Sequence, residues 1–225
     1  VSETWKVGPA GPFYDSMVLG NPSISTIGRS SVSLGVNAGG STNTTSIGYS
    51  AGNSSQSNRA TAVGAYSGYF GQSSDSVAIG YYSGSLNQGT GAITIGMNAG
   101  GSYQGEKCIA VGYNAGYDTQ SSNSIAIGNE AGYDTQSSNS ISIGTHVGYT
   151  SQGYYATSIG YYAGSSYQGS YSIAIGYEAG ISLQKLQGIA IGYQAGNSNQ
   201  GTGAIAIGYQ ACLLYTSDAA DDTPC

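Results

Sequence analysis

One glycine returns at a fixed interval through most of this chain. Gly48, Gly64, Gly80, Gly96, Gly112, Gly128, Gly144, Gly160, Gly176, Gly192 and Gly208 stand sixteen residues apart, with no insertion in eleven copies. A strict period of this length marks a stacked repeat architecture, in which each unit contacts its neighbours along one axis.

Other positions keep the same period, counted as offsets from this glycine. Offset −1 is Ile or Val in every copy: Ile47, Val63, Ile79, Ile95, Val111, Ile127, Ile143, Ile159, Ile175, Ile191 and Ile207. Offset −3 is Ile, Val or Thr, as in Val77, Ile93, Ile109 and Ile125, with Thr at Thr45, Thr61 and Thr157. Offsets −2 and −4 are small, as in Ala174 and Ser172, and offset +3 is mostly Ala. Offset +4 is Gly in ten copies. Offset +8 is Gln in all ten copies that reach it: Gln56, Gln72, Gln88, Gln104, Gln120, Gln136, Gln152, Gln168, Gln184 and Gln200.

Small-Ile-small-Ile-Gly alternates with period two, which predicts a strand rich in β-branched residues. Glycine at this density would break a helix, and a coiled coil needs sevens. Each sixteen-residue unit therefore reads as one rung of an all-β parallel β-solenoid, a β-roll. Identical offsets stack about 4.8 Å apart, so eleven rungs extend roughly 50 Å. The Ile/Val column at −1, with offset −3 and the Ala at +3, is expected to form the core. The small residues at −4, −2 and 0 are expected to form a flat outer face for self-association. The Gln column is expected to stack as an amide ladder, each side chain bonding to the copies above and below.

The solenoid is expected over residues 31–211, about 11–12 rungs, including a clipped rung at Ser31–Gly39 around Gly35. Residues 1–30, with Gly8-Pro9-Ala10-Gly11-Pro12, read as an irregular lead. Nothing after Ala211 fits any offset: Cys212 stands where Gly is expected and Thr216 where Gln is expected. Cys212–Asp222 resembles, at every position, the in-frame translation of a transposase-type sequencing adapter, so residues 212–225 are expected to be non-native. Without Asp218, Asp221 and Asp222 the eleven acids become eight, and the net charge moves from −6 to −3. Cys108 is then the sole cysteine and implies no disulfide.

Charged residues make up 7% of the chain, against about 25% in an ordinary soluble domain. The bases Lys6, Arg29, Arg59, Lys107 and Lys185 are scattered, so no basic stripe points to nucleic acid. No apolar run is long enough for a membrane helix, and no signal peptide is visible. The single histidine, His146 at offset +2, reads as a solvated surface residue. No cluster of His and Cys argues for zinc, and no Ser–His–Asp set argues for a triad. Gly100–Lys107 has Glu106 where a phosphate loop needs Lys. The expectation is no enzyme, no metal and no cofactor. Tyrosine supplies the remaining signal. Tyr49, Tyr81, Tyr113, Tyr161, Tyr177, Tyr193 and Tyr209 fall at offset +1, and Tyr69, Tyr117, Tyr133 and Tyr149 at +5. Stacked rings at rung spacing either stabilise the solenoid or form an exposed aromatic track for glycan, polymer or protein.

Asn123-Ser124-Ile125-Ala126-Ile127-Gly128 resembles the head repeat of trimeric autotransporter adhesins, the YadA-like head. Near copies stand at Asn139–Gly144, Ser172–Gly176, Ile189–Gly192 and Ile205–Gly208, so the resemblance covers residues 31–211. It implies a left-handed parallel β-roll, three chains side by side, on a bacterial outer-membrane surface and used for attachment to host, cells or surfaces. Similar repeats occur in phage and viral tail fibres, so a fibre shaft is the alternative function. An ice-binding solenoid ranks third, because Thr is sporadic on the flat offsets. The expected partners are the chain itself, as a homotrimer, and a host or surface glycan or protein, with no nucleic acid. The expected location is extracellular or on a cell or virion surface.

Overall fold

The computed structural model describes Lys6–Val7, residues 16–19 and residues 30–212. Every regular element there is a strand. The tail at 213–225 and most of the lead lie outside the described residues. The strands form two sheets. A 14-stranded sheet takes one strand from each rung at offsets −3 to −1, such as Ile125–Ile127, and a 7-stranded sheet takes strands ending in the Gln at +8, such as Thr135–Gln136. Neighbouring rungs pair parallel and in register, Ile109 with Ile125, Ala110 with Ala126 and Val111 with Ile127. The clipped rung joins through Val32–Leu34, which pairs in register with Thr45–Ile47. Met17–Leu19, inside the lead, extends the same parallel register, and Lys6–Val7 closes on it antiparallel.

Backbone hydrogen bonds run between rungs in the turns as well as in the strands. Ile125 N–H donates to Ser140 C=O at 2.9 Å and Gly132 N–H to Val147 C=O at 2.9 Å, both toward the next rung. The peptides at offsets +2 and +11 point the other way: Glu130 donates to Tyr113 and Asn123 to Glu106. Those residues hold positive φ, 52° at Glu130 and 60° at Asn123, and the reversal of the N–H is what that conformation achieves. Corners therefore keep hydrogen bonds to both neighbouring rungs without being exclusively glycine.

The interior is made of small residues. Ser124, Ala126 and Ala131, at −4, −2 and +3, are fully buried, as is Gln136 at +8. The expected core column faces the other way. Ile47, Val63, Ile79, Ile95, Val111, Ile127, Ile143, Ile159, Ile175, Ile191 and Ile207 all point outward; Ile127 is 37% exposed while its neighbour Ala126 is 0% exposed. The offset −3 residues share that outer face. The expected association face at −4 and −2 lies inside the rung, out of reach of another solenoid. The physical reason is space. The two sheets of a rung lie too close for facing Ile columns, and one Gln per rung already fills the gap, so only Ala, Ser, Thr, Cys or Gly fits opposite it.

The corner glycines follow from the same tightness. A Cβ on Gly80, with φ of 129°, would meet the Gly96 carbonyl oxygen at 2.5 Å. A Cβ on Gly132, with φ of 56°, would sit 2.9 Å from Oε1 of Gln136. The Gly at +4 thus leaves the room that the Gln four residues later occupies.

Candidate functional site

Eight of the ten Gln amides donate across their own rung, and five of the nine adjacent Gln pairs also bond along the axis. Across its own rung, Nε2 of Gln136 donates to the Ile125 carbonyl at 2.8 Å, and that of Gln120 to the Ile109 carbonyl at 3.0 Å. Along the axis, direct amide–amide bonds join Gln56 to Gln72, Gln104 to Gln120, Gln136 to Gln152, Gln152 to Gln168 and Gln168 to Gln184. Serine at −2 adds a third contact in some rungs, Ser142 Oγ donating to Gln152 Oε1 at 2.8 Å. Because the column is fully enclosed, its chemistry is structural, with no surface for a ligand.

The outer face of the large sheet is the surface with functional content. Offset −1 forms an apolar column along the whole axis, and offset −3 a parallel one interrupted by Thr45, Thr61 and Thr157. From Ile141–Thr145 to Ile173–Tyr177 the ladder continues past the corner glycine to +1, where Tyr161 and Tyr177 are exposed. The rungs register these positions as Thr157 with Ile173, Ile159 with Ile175 and Tyr161 with Tyr177. The result is a flat strip of β-branched side chains edged by tyrosine. Charge is absent from both apolar columns.

Of the seven tyrosines at +1, four form one stack. Tyr161, Tyr177, Tyr193 and Tyr209 have ring centroids 5.2, 5.0 and 5.2 Å apart, with interplanar angles of 14°, 6° and 9°. Tyr49 and Tyr81 instead meet Tyr66 edge-on, and Tyr113 has no close ring neighbour among the described residues. At +5, Tyr117, Tyr133 and Tyr149 stack at 5.2 and 4.9 Å. In these stacks the ring faces lie against one another, leaving edges and hydroxyls to solvent. A sugar that needs a free aromatic face finds one only at the end of a stack.

His146 is less solvated than its offset implied. Its Nε2 lies 2.7 Å from Oε2 of Glu130, one rung back, and its ring stacks on Tyr162 at 4.7 Å and 2°. It also lies 5.7 Å from Tyr149, so it bridges the +5 stack to Tyr162, which meets Tyr161 edge-on at 4.7 Å. Arg59 and Asp75 form a two-pronged ion pair at 2.6 and 2.8 Å on an exposed corner. It holds the Asp75 carboxyl below its usual range, but exposed pairs of this kind add little stability. Cys108 is buried at −4, and burial pushes its thiol pKa up, so it is a poor nucleophile. Among the described residues no three His, Cys, Asp or Glu side chains gather to hold a metal ion, and no helix is long and apolar enough to cross a membrane.

No family model, no curated protein and no solved structure matches this chain.

Proposed function

We propose that this chain is a segment of a homo-oligomeric extracellular attachment fibre, with three solenoids packed side by side along their isoleucine faces. The carrying observation is the outward Ile/Val strip. Isolated soluble chains rarely expose a continuous apolar patch of this extent. From strand geometry it runs roughly 50 Å along the axis and roughly 13 Å from offset −3 to +1. That is on the order of 700 Å², close to the ~800 Å² each partner contributes to a standard interface. A second copy is the occupant that matches best, because its columns have the same rise and no charge to desolvate. Around a threefold axis, the −3 column of one chain packs against the −1 column of the next, and the ring closes. Tyrosine at +1 supplies the amphipathic rim.

The resemblance of Asn123–Gly128 to YadA-like head repeats supports the attachment role and a bacterial surface location. With the apolar strip buried, receptor contact falls to the tyrosine edges and polar corners. A rigid, weakly charged rod suits display and adhesion, and a tail-fibre shaft shares that mechanical logic. The test is attachment: particles coated with the full chain should bind host cells or surfaces above particles coated with an unrelated β-protein. An oligomer that binds none of them would leave a shaft role and overturn the adhesive one.

A further inference from the structure

The stacked tyrosines have a geometry that the attachment role does not use. Tyr177 and Tyr193 are parallel to within 6°, one rung apart, at 5.0 Å, and both are exposed. Tyr133 and Tyr149 repeat this on another corner, at 8° and 4.9 Å. Rung stacking holds successive phenol rings close and nearly parallel, so a small side-chain shift brings the ring carbons beside their oxygens together. Tyrosines held this way are pre-positioned for radical coupling, since neither has to find the other by diffusion.

We propose that the tyrosine stacks are oxidative cross-linking sites, at which a haem peroxidase using hydrogen peroxide joins successive rungs through dityrosine bonds. Each of two phenols gives up one electron and one proton. The resulting phenoxyl radicals form a carbon–carbon bond between the ring carbons next to their oxygens. The hydrogens on those two carbons then pass through water to the oxygens and restore both hydroxyls. One hydrogen peroxide takes up the two electrons and two protons and leaves as two waters, and the chain is lighter by two hydrogens per bond.

The ring path also governs where an oxidation settles. His146 and Tyr162 connect the +5 stack to the +1 stack through gaps of 5.7, 4.7 and 4.7 Å. A radical formed at an exposed ring can hop along contacts this short until it meets a second radical in a stacked pair. Covalent bonds between rungs would lock the solenoid against unzipping from an end, where a nearest-neighbour stack is weakest. The +5 stack lies outside the −3 to +1 strip, so the Tyr133–Tyr149 link does not depend on the oligomeric state.

The experiment treats a mixture of light- and heavy-nitrogen full chain with a haem peroxidase and hydrogen peroxide, followed by cleavage at acidic residues. Cleavage after Asp134 and Glu178 separates the partners of both pairs. The expected result is dityrosine fluorescence, with links two hydrogens lighter and isotopically pure. Since Tyr149, Tyr167 and Tyr177 share the 135–178 peptide, fragmentation of the joined peptides places the links at Tyr133–Tyr149 and Tyr177–Tyr193. Tyr133→Phe should remove the first link and leave the second. Tyr103 and Tyr167 are each 60% exposed and have no ring neighbour among the described residues, so they serve as controls. Coupling that follows exposure and favours those two, isotopically mixed links, or no dityrosine at all would overturn the proposal.

Discussion

Gln136 donates through Nε2 to Oε1 of Gln152, 3.0 Å away and one rung on, while the same amide reaches the Ile125 carbonyl across its own rung at 2.8 Å. One buried side chain therefore ties the two sheets together and also ties rung to rung. Gln136→Leu keeps much of the volume but strips a buried carbonyl of a donor and breaks the ladder. It should cost about 2–4 kcal/mol. Gln136→Glu should cost more, because it buries a carboxylate against acceptors. Denaturant midpoints measure both; a Leu variant with the wild-type midpoint would contradict the assigned role.

Gly132 and Gly80 test two kinds of tightness. Gly132→Ala should cost about 1–3 kcal/mol, from its φ of 56° and the crowding of the Gln136 amide. Gly80→Ala should cost more, since its Cβ would press on the Gly96 backbone, which no rotamer change relieves. Thermal unfolding of the two variants side by side gives the order, and the reverse order would contradict it.

Alkaline stability follows from the phenols. Burial, with help from neighbouring rings and Glu130, raises the pKa values of Tyr133 and Tyr149. The Glu178 carboxylate beside Tyr177 raises that one. The folded chain therefore favours the neutral phenols. Their contribution is fully present below the unfolded-chain value of about 10 and is lost as pH rises through the higher folded values. Unfolding midpoints should hold level up to about pH 10 and fall beyond it. Tyr133→Phe should shrink that fall.

Cys108 should resist thiol reagents in the folded chain, being buried and held protonated. Mass spectrometry after alkylation should show no adduct at Cys108 in native buffer and full reaction in denaturant. An adduct formed at the native state's own rate of a free thiol would place the sulfur outside the core.

The period, the strand at −3 to −1 and the Gln column were legible in the sequence, because each recurs at one offset. The column's burial was not, and its amides bond along the axis in five of nine neighbouring pairs rather than all. The facing of the strand was not legible either. Alternation names two faces of Ile125–Ile127 without saying which is inside, and a one-residue change of parity exchanges them. Burying the Ile is the natural choice for an isolated chain, but the narrow rung admits Ala126 and excludes its neighbours. The second strand was also hidden. Thr119–Gln120, Tyr103–Gln104 and Phe70–Gln72 share nothing but their final residue, so its one sequence signal was the Gln itself. Positive φ at offset +2 is carried by Tyr66, Glu130 and His146, residue types that do not announce a turn. His146 looked solvated because its partner, Glu130, lies sixteen residues away and becomes adjacent only once the rungs stack.

The isoleucine face separates the outward reading from the buried one most sharply. In Ile127→Asp/Ile143→Asp, two charges enter adjacent rungs of the outer strip without touching the interior. Sedimentation velocity and circular dichroism on the full chain should find the wild type oligomeric. The double variant should be a monomer with unchanged β-structure and a wild-type unfolding profile at low concentration. A monomeric wild type, or a double variant that loses its fold, would contradict the account.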